Sequence, residues 1–266
     1  MASAVIASVD GEIMPPEGAS ISILDEGLVR GDGAFEVLKL YSGHLFRLTA
    51  HLDRLGRSAA SIELDFDRDA LEREVAALLD AGVPADGCLR IVVTRGGRRV
   101  LTGEEAAPFA PHVAIALVEF TPNEILAGVK SISYAANMQA TRIAAGRGAD
   151  EALYVRPDGV VLEAPTSSVF WVGDDGTLRT PALEVGILDS ITRQIVIESH
   201  EVEQGEFDRG DLLGAREAFL AATHREIQPI SSVDGHEVAT VGGPAADQAR
   251  ASLAAAVEAE RATTAS

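Results

Sequence analysis

The sequence predicts an α+β protein in two lobes, each an antiparallel or mixed β-sheet or barrel with flanking helices. Three observations lead there. Strand-like stretches come before helix-like ones in each half of the chain, whereas a doubly wound parallel sheet needs them to alternate. A stretch at 121–129, bearing Pro122 and Gly128, breaks the pattern near the middle. The 266 residues suffice for one large core or two small ones. The expected division is a lobe over 1–120, a linker over 121–129 and a second lobe over 130–266.

Residues 5–14 read as two short strands around Asp10-Gly11, a pair favoured in hairpin turns. Pro15-Pro16-Glu17-Gly18 ends that unit, and 21–24 is a short apolar run. Gly31-Asp32-Gly33 is a tight turn into a strand over 34–41, whose period of two puts Phe35, Val37, Lys39 and Tyr41 on one face. Thr49 is the expected cap of a helix carrying Leu52, Leu55 and Ala59, with Arg54 on it. A second helix is expected over 69–80, strands over 89–94 and 112–120, and a basic glycine loop over 95–99. In the second half, 137–146 has helical composition. A meander is expected over 151–155, 160–162, 170–172 and 178–180. A helix over 191–199, strands over 217–221 and 226–230, and an alanine-rich helix over 244–263 complete the chain.

The net charge of −19 argues against nucleic acid or an anionic membrane as partner, because both need a basic face. It leaves room for a small anion held by local arginines. Cys88 is the only cysteine, which excludes an internal disulfide and a cysteine metal cluster. No His/Glu metal-ligand spacing appears. The first residues lack the pattern of a signal peptide, and the longest apolar run, 113–118, is strand-sized. A cytoplasmic protein is expected.

The basic residues are almost all arginine, and the only lysines are Lys39 and Lys130. Guanidinium stays protonated, whereas a desolvated ammonium can lose its proton and attack a carbonyl, so Lys130 raises the question of amine chemistry. Other residues read two ways. Glu163, before Ala164-Pro165-Thr166-Ser167-Ser168, is either a strand-end glutamate or the acid of a polar ring. Ser190 is a helix cap, and the N–H groups of the helix it opens can also seat a phosphate. Arg54 is a surface arginine or a phosphate partner. Ala222-Thr223-His224 is a strand end or a further hydroxyl and N–H.

The order of these segments resembles the class IV aminotransferase family, the fold type IV enzymes that use pyridoxal 5′-phosphate. The similar stretches are Leu28-Val29-Arg30-Gly31-Asp32-Gly33-Ala34-Phe35-Glu36, His51-Leu52-Asp53-Arg54-Leu55, the run from Lys130 through Tyr134, Ala149-Asp150-Glu151-Ala152-Leu153, and Gly186-Ile187-Leu188-Asp189-Ser190-Ile191-Thr192-Arg193. The resemblance implies that Lys130 is the catalytic, Schiff-base lysine. It implies that Arg54, the backbone of Ile191 and Thr192, and Thr223 hold the cofactor phosphate. Glu163 then faces the pyridine nitrogen, Leu188 packs on the ring, and Tyr134, Ser167 and Ser168 line the cofactor. Phe35, Thr166 and His224, with Arg30, Arg98 and Arg99, are the expected substrate contacts. It further implies a homodimer whose active site is completed at the subunit interface.

Departures from the family pattern bear on the substrate. After Glu163 the family has Gly, then hydroxyl residues and Asn, whereas here the run is Ala164-Pro165-Thr166-Ser167-Ser168, with a serine in place of Asn. The Arg-x-His carboxylate trap of D-amino acid transaminases is replaced by Gly97-Arg98-Arg99-Val100-Leu101, while Arg30 occupies a position that is uncharged in many relatives. A rearranged trap using Arg30 with Arg98 or Arg99 is the expectation. The expected reaction is amino transfer between an amino acid, preferably a D-amino acid such as D-alanine, and a 2-oxo acid such as 2-oxoglutarate or pyruvate. Aminodeoxychorismate lyase, forming 4-aminobenzoate and pyruvate, and branched-chain aminotransferase are the alternatives.

Overall fold

The computed structural model describes residues 4–264, and these fall into two compact units. The first takes 4–108, 129–134 and 260–264; the second takes 109–128 and 135–259.

In the first unit, the strands are β1 (Ala4–Val9), β2 (Glu12–Met14), β3 (Gly33–Tyr41), β4 (His44–Leu45), β5 (Cys88–Thr94) and β6 (Arg99–Glu104). They form one sheet in the order β2-β1-β6-β5-β3-β4, with every pairing antiparallel. The helices are α1 (Glu26–Arg30), α2 (Leu48–Ser61) and α3 (Arg68–Gly82). Asp10 and Gly11 turn the first hairpin with φ of 52° and 89°, the left-handed pair such a turn demands. Ala34, Leu38 and Leu40 alternate along β3 into the core. There they meet Leu52, Leu55 and Ala59 of α2 and Leu71, Val75 and Leu78 of α3, the helical periods read from the sequence.

Two expectations are corrected here. Thr49 does not cap α2; the cap position is Arg47, in the left-handed region with φ 57° and without a side-chain cap. An arginine has no acceptor to offer. Instead the Arg47 N–H donates to Glu260 Oε1 at 2.8 Å, and His44 Nε2 lies 3.2 Å from the same oxygen. Second, residues 129–134 do not begin the second lobe but complete the first sheet. The Phe35 N–H donates to the Lys130 carbonyl, and the Ile132 N–H to the Gly33 carbonyl, each at 3.0 Å. Ser131 bridges to Ala34, and Ser133 Oγ donates to the Gly31 carbonyl at 2.8 Å.

The second unit contains β7 (Val113–Glu119), α4 (Ala135–Gly146), β8 (Glu151–Val155), β9 (Ser168–Val172), β10 (Leu178–Pro181), α5 (Ile191–Ser199) and β11 (Val202–Gly205). After these come α6 (Arg209–Leu213), β12 (Glu217–Ala222), β13 (Glu226–Val233), β14 (His236–Glu237) and α7 (Pro244–Thr264), whose last residues are grouped with the first unit. The sheet order is β11-β10-β9-β12-β13-β7-β8, with β14 on β13. It is mixed: β7 runs parallel to β8 and β13, and β10 parallel to β11. The strand expected over 112–120 therefore belongs to the second sheet rather than the first lobe. Its unbroken apolar run suits a strand covered on both faces between parallel neighbours. The expected strand over 160–162 is reduced to single bridges, Val161 to Val155 and Val160 to Asp208. Strands β6 and β11 were not foreseen. Among the described residues no helix is long and apolar enough to cross a membrane, and no cluster of potential metal ligands occurs.

At Gly33 neighbouring stretches of the chain approach closely. A Cβ there would collide with the Val93 carbonyl oxygen and come within 2.8 Å of Ile132 Cδ1. Gly33→Ala is therefore expected to lower stability by about 2 kcal/mol, read as a reduced urea midpoint at unchanged slope.

Candidate active site

Lys130 is held by its backbone from two sides. Its carbonyl accepts from Phe35 on β3, and its N–H donates to Ser58 Oγ on α2 at 3.1 Å. The side chain is thereby laid along β3, with Nζ 4.3 Å from the centre of the Phe35 ring. Tyr134 meets the same ring edge-on at 5.3 Å. Phe35, Lys130 and Tyr134 thus lie together within the first unit.

Arg54 is not a surface arginine. It lies on the buried face of α2 and is 5% exposed. Its Nε and Nη2 donate to the two oxygens of Glu36, each at 2.7 Å, and His51 Nδ1 lies 2.7 Å from Glu36 Oε2. Burial alone would raise the Glu36 carboxyl. The Arg54 charge and hydrogen bonds, helped by His51, outweigh it and hold the group at about 2. Burial pushes His51 below its usual value against the pull of Glu36, and the charges of Arg54 and Lys130 push the same way as burial. His51 is therefore neutral near pH 7, with its proton on Nδ1 facing the carboxylate.

The second unit places Glu163 at the entrance to a tight turn. The Ala164 N–H donates to the Ser167 carbonyl at 2.9 Å, and β9 starts at Ser168. Asn137 Nδ2 donates to the Pro165 carbonyl at 2.7 Å, pinning the turn to α4. Glu163 Oε1 accepts the Leu188 N–H at 3.0 Å, which orients the carboxylate and brings the expected ring-packing residue beside it. Ser190 caps α5 by accepting from the Arg193 N–H, so the N–H groups of Ile191 and Thr192 fall in the turn that lacks intrahelical acceptors. Arg193 anchors that turn from inside. It is 2% exposed, and its Nη2 donates to the Pro181 carbonyl and Gln204 Oε1, both at 2.8 Å. Burial lowers its guanidinium from the usual value. Thr223 lies in the turn between β12 and β13, and the neighbouring His224 ring packs edge-on against Phe109 at 4.9 Å. Thr166 is exposed at the tip of its turn.

Buried hydroxyls without partners are uncommon. Ser167 Oγ and Ser168 Oγ are two in succession, close in sequence to Glu163. Within the second unit, these orphaned hydroxyls, an oriented carboxylate and a capped helix start are a donor set of the kind that suits a phosphate-bearing group with a polar ring.

The three expected substrate arginines are not brought together. Arg30 is 70% exposed and lies 3.8 Å from Glu26 of its own helix. Arg98 donates to Asp10. Arg99 is forked onto Glu74 of α3 at 2.7–3.0 Å. Sequence reasoning missed Glu36 and His51. The signal was present: position 36 falls in register with Ala34, Leu38 and Leu40, where the period calls for an apolar residue. It also missed Ser58 and Asn137, which leave no such trace.

Comparison with known proteins bears on this arrangement. The model of the amino-transferase class IV family matches residues 33–233. A Methanocaldococcus jannaschii protein assigned as a branched-chain-amino-acid aminotransferase is 32% identical over 255 residues, 86% of this chain and 88% of that protein. The D-alanine aminotransferase of Bacillus licheniformis is 29% identical, covering 88% and 90%. Among solved structures, a fold IV transaminase of Curtobacterium pusillum superposes with a TM-score of 0.81 at 29% identity, covering 91% of this chain and 92% of that one. A PLP-bound hypothetical aminotransferase of Mycobacterium tuberculosis gives 0.85 at 26% identity, covering 96% and 99%. The branched-chain aminotransferase of Thermoproteus uzoniensis with norvaline gives 0.85 at 27%, covering 96% of each.

The buried trio makes stability depend on acid in a defined direction. An unfolded histidine takes up a proton as pH falls through 6.5, while folded His51 resists it. An unfolded glutamate does so near 4.5, while folded Glu36 does so only near 2. In both windows the unfolded chain binds more protons, so stability present above 6.5 is lost stepwise below it. Urea midpoints across this range are expected to fall on acidification, and His51→Asn is expected to flatten the upper step.

Proposed function

The chain belongs to the class IV aminotransferase family and is an enzyme of that class, and we propose that it uses pyridoxal 5′-phosphate to transfer the amino group of a D-amino acid such as D-alanine to a 2-oxo acid. The family is pyridoxal 5′-phosphate-dependent and acts on amino and oxo acids. The observation that carries the cofactor reading is Lys130, fixed through both its carbonyl and its N–H, with its amine brought over an aromatic ring.

In this reading Lys130 binds the cofactor covalently and is the base that takes and returns the proton at the substrate Cα. The cofactor, when bound, supplies the electron sink for that carbon. Glu163, oriented by the Leu188 N–H, serves the ring nitrogen. Arg54, the starting N–H groups of α5 at Ile191 and Thr192, and Thr223 serve the phosphate. Tyr134, Leu188, Ser167 and Ser168 complete the cofactor's surroundings. Phe35, Thr166 and His224 line the substrate side. Arg30 is the arginine we assign to the substrate carboxylate, since Arg99 is already forked onto a carboxylate and Arg98 is paired with Asp10.

The D-amino acid preference is supported by relatives named D-alanine aminotransferase at 29% to 31% identity. A branched-chain L-amino acid is the second reading, favoured by the Methanocaldococcus jannaschii relative at 32% identity. We further propose a homodimer. Ile23, Leu24, Leu28 and Val29, close in sequence, are 80%, 81%, 59% and 60% exposed, large apolar side chains of the kind that an interface covers. Arg30 follows Val29 on α1 and goes to that interface with it.

Four outcomes are expected. In a spectral titration, D-alanine bleaches the visible band of the lysine-bound cofactor and yields pyruvate, whereas L-leucine and L-glutamate do not; bleaching by the L-amino acids alone overturns the D-preference. Lys130→Ala has no such band and no transaminase activity. Arg30→Ala raises the amino-acid KM roughly tenfold or more with a smaller change in kcat. An unchanged KM removes Arg30 from the carboxylate site. Light scattering of Leu24→Glu is expected to report a monomer, and a persisting dimer would place the interface elsewhere.

A further inference from the structure

The core face of β3 contains a residue that packing does not call for. Ala34, Leu38 and Leu40 are apolar and 0–1% exposed, yet Glu36, on the same face, is a carboxylate at 0%. It is met from α2 by Arg54 and His51, among the helix's buried apolar residues Leu52 and Leu55. An apolar set of equal volume would hold β3 and α2 together about as well or better, because desolvating an ion pair this deep cancels most of its attraction. Stability alone therefore does not account for the trio.

Its geometry suggests another role. Both Glu36 oxygens are engaged, Oε1 with Arg54 Nε and Oε2 with Arg54 Nη2 and His51 Nδ1, all at 2.7 Å. Glu36 grips the guanidinium along its Nε–Nη2 edge, and that two-point grip sets its plane. His51, neutral and donating, takes up the remaining acceptor capacity without adding charge.

We propose that Glu36, seconded by His51, is a positioning residue that acts as the resident counter-ion of Arg54, neutralising and orienting the guanidinium before any cofactor phosphate arrives. The inference rests on the reading of Arg54 as a phosphate ligand. It has a distinctive consequence. If Glu36 served only to aim Arg54, losing its charge would weaken the response to phosphate. If it substitutes for phosphate in the cofactor-free enzyme, losing its charge makes folding depend on phosphate.

The test is thermal melting of the full chain as wild type, Glu36→Gln, Arg54→Met and the double variant. Each is melted cofactor-free, with pyridoxal 5′-phosphate, with unphosphorylated pyridoxal, and with inorganic phosphate. Cofactor-free Glu36→Gln is expected to melt about 10 °C below wild type. Pyridoxal 5′-phosphate or inorganic phosphate should recover more than half of that loss, pyridoxal little of it, and the gain from phosphate should exceed that of wild type. The double variant, with both charges removed, should melt above Glu36→Gln when cofactor-free. A loss that phosphate does not reduce, or a double variant no more stable than the single one, overturns the inference. The second comparison remains decisive even where Glu36→Gln is too unstable to handle with ligand. If Arg54→Met keeps the wild-type response to phosphate, the phosphate reading of Arg54 fails and the inference with it. If Arg54→Met loses that response while Glu36→Gln leaves it unchanged, the inference alone fails.

Discussion

The candidate site depends on how residues 130–132 lie along the start of β3. Two backbone hydrogen bonds and a bridge fix that alignment, and Gly33 permits it by lacking a side chain where the Val93 carbonyl and Ile132 approach. A strand then does the rest, because consecutive residues point to opposite faces. Phe35 goes to one side and takes Lys130 and Tyr134, while Glu36 goes to the other and takes Arg54 and His51. Two successive residues of one strand thus set the amine and the buried arginine together. A shift of register by one would exchange those roles.

What could be read from the sequence follows the range of the forces involved. The alternation in β3, the apolar stripes of α2 and α3, and the Ser190 cap of α5 are local effects, and they are legible because period and capping chemistry are written in neighbouring residues. The placement of β7 was not legible. Its apolar run says that it is buried, but its partners are β8 and β13, parallel strands whose pairing no local pattern announces. The same holds for 129–134, which looks like the end of a linker and pairs with a strand almost a hundred residues earlier. Thr49 misled for the opposite reason. A good local cap was available, but the chain used a carboxylate from its far end.

The arginines show how composition can mislead about binding. In so acidic a chain, several of them find carboxylates within their own unit: Arg95 on Asp32, Arg99 on Glu74, Arg90 on Glu104, Arg225 on Glu151. Clustering of arginine near the 95–99 turn therefore reports mainly internal pairing. The informative property is depth. Arg54 and Arg193 are the arginines driven into cores, the one held by Glu36 and the other by the Pro181 carbonyl and Gln204.

The hydrogen bond from Arg47 to Glu260 has a bearing on how the protein is made. The first unit is a composite of three pieces of chain, and its second and third pieces come from residues 129–134 and from the last turns of α7. A ribosome delivers the 129–134 piece 20 residues after the opening piece ends, and the last turns of α7 a further 125 residues on. The sheet edge that receives Ser131 is covered early, whereas the start of α2 stays unfinished until Glu260 has been made. The first unit thus closes only when a residue from beyond the whole of the second unit has been made.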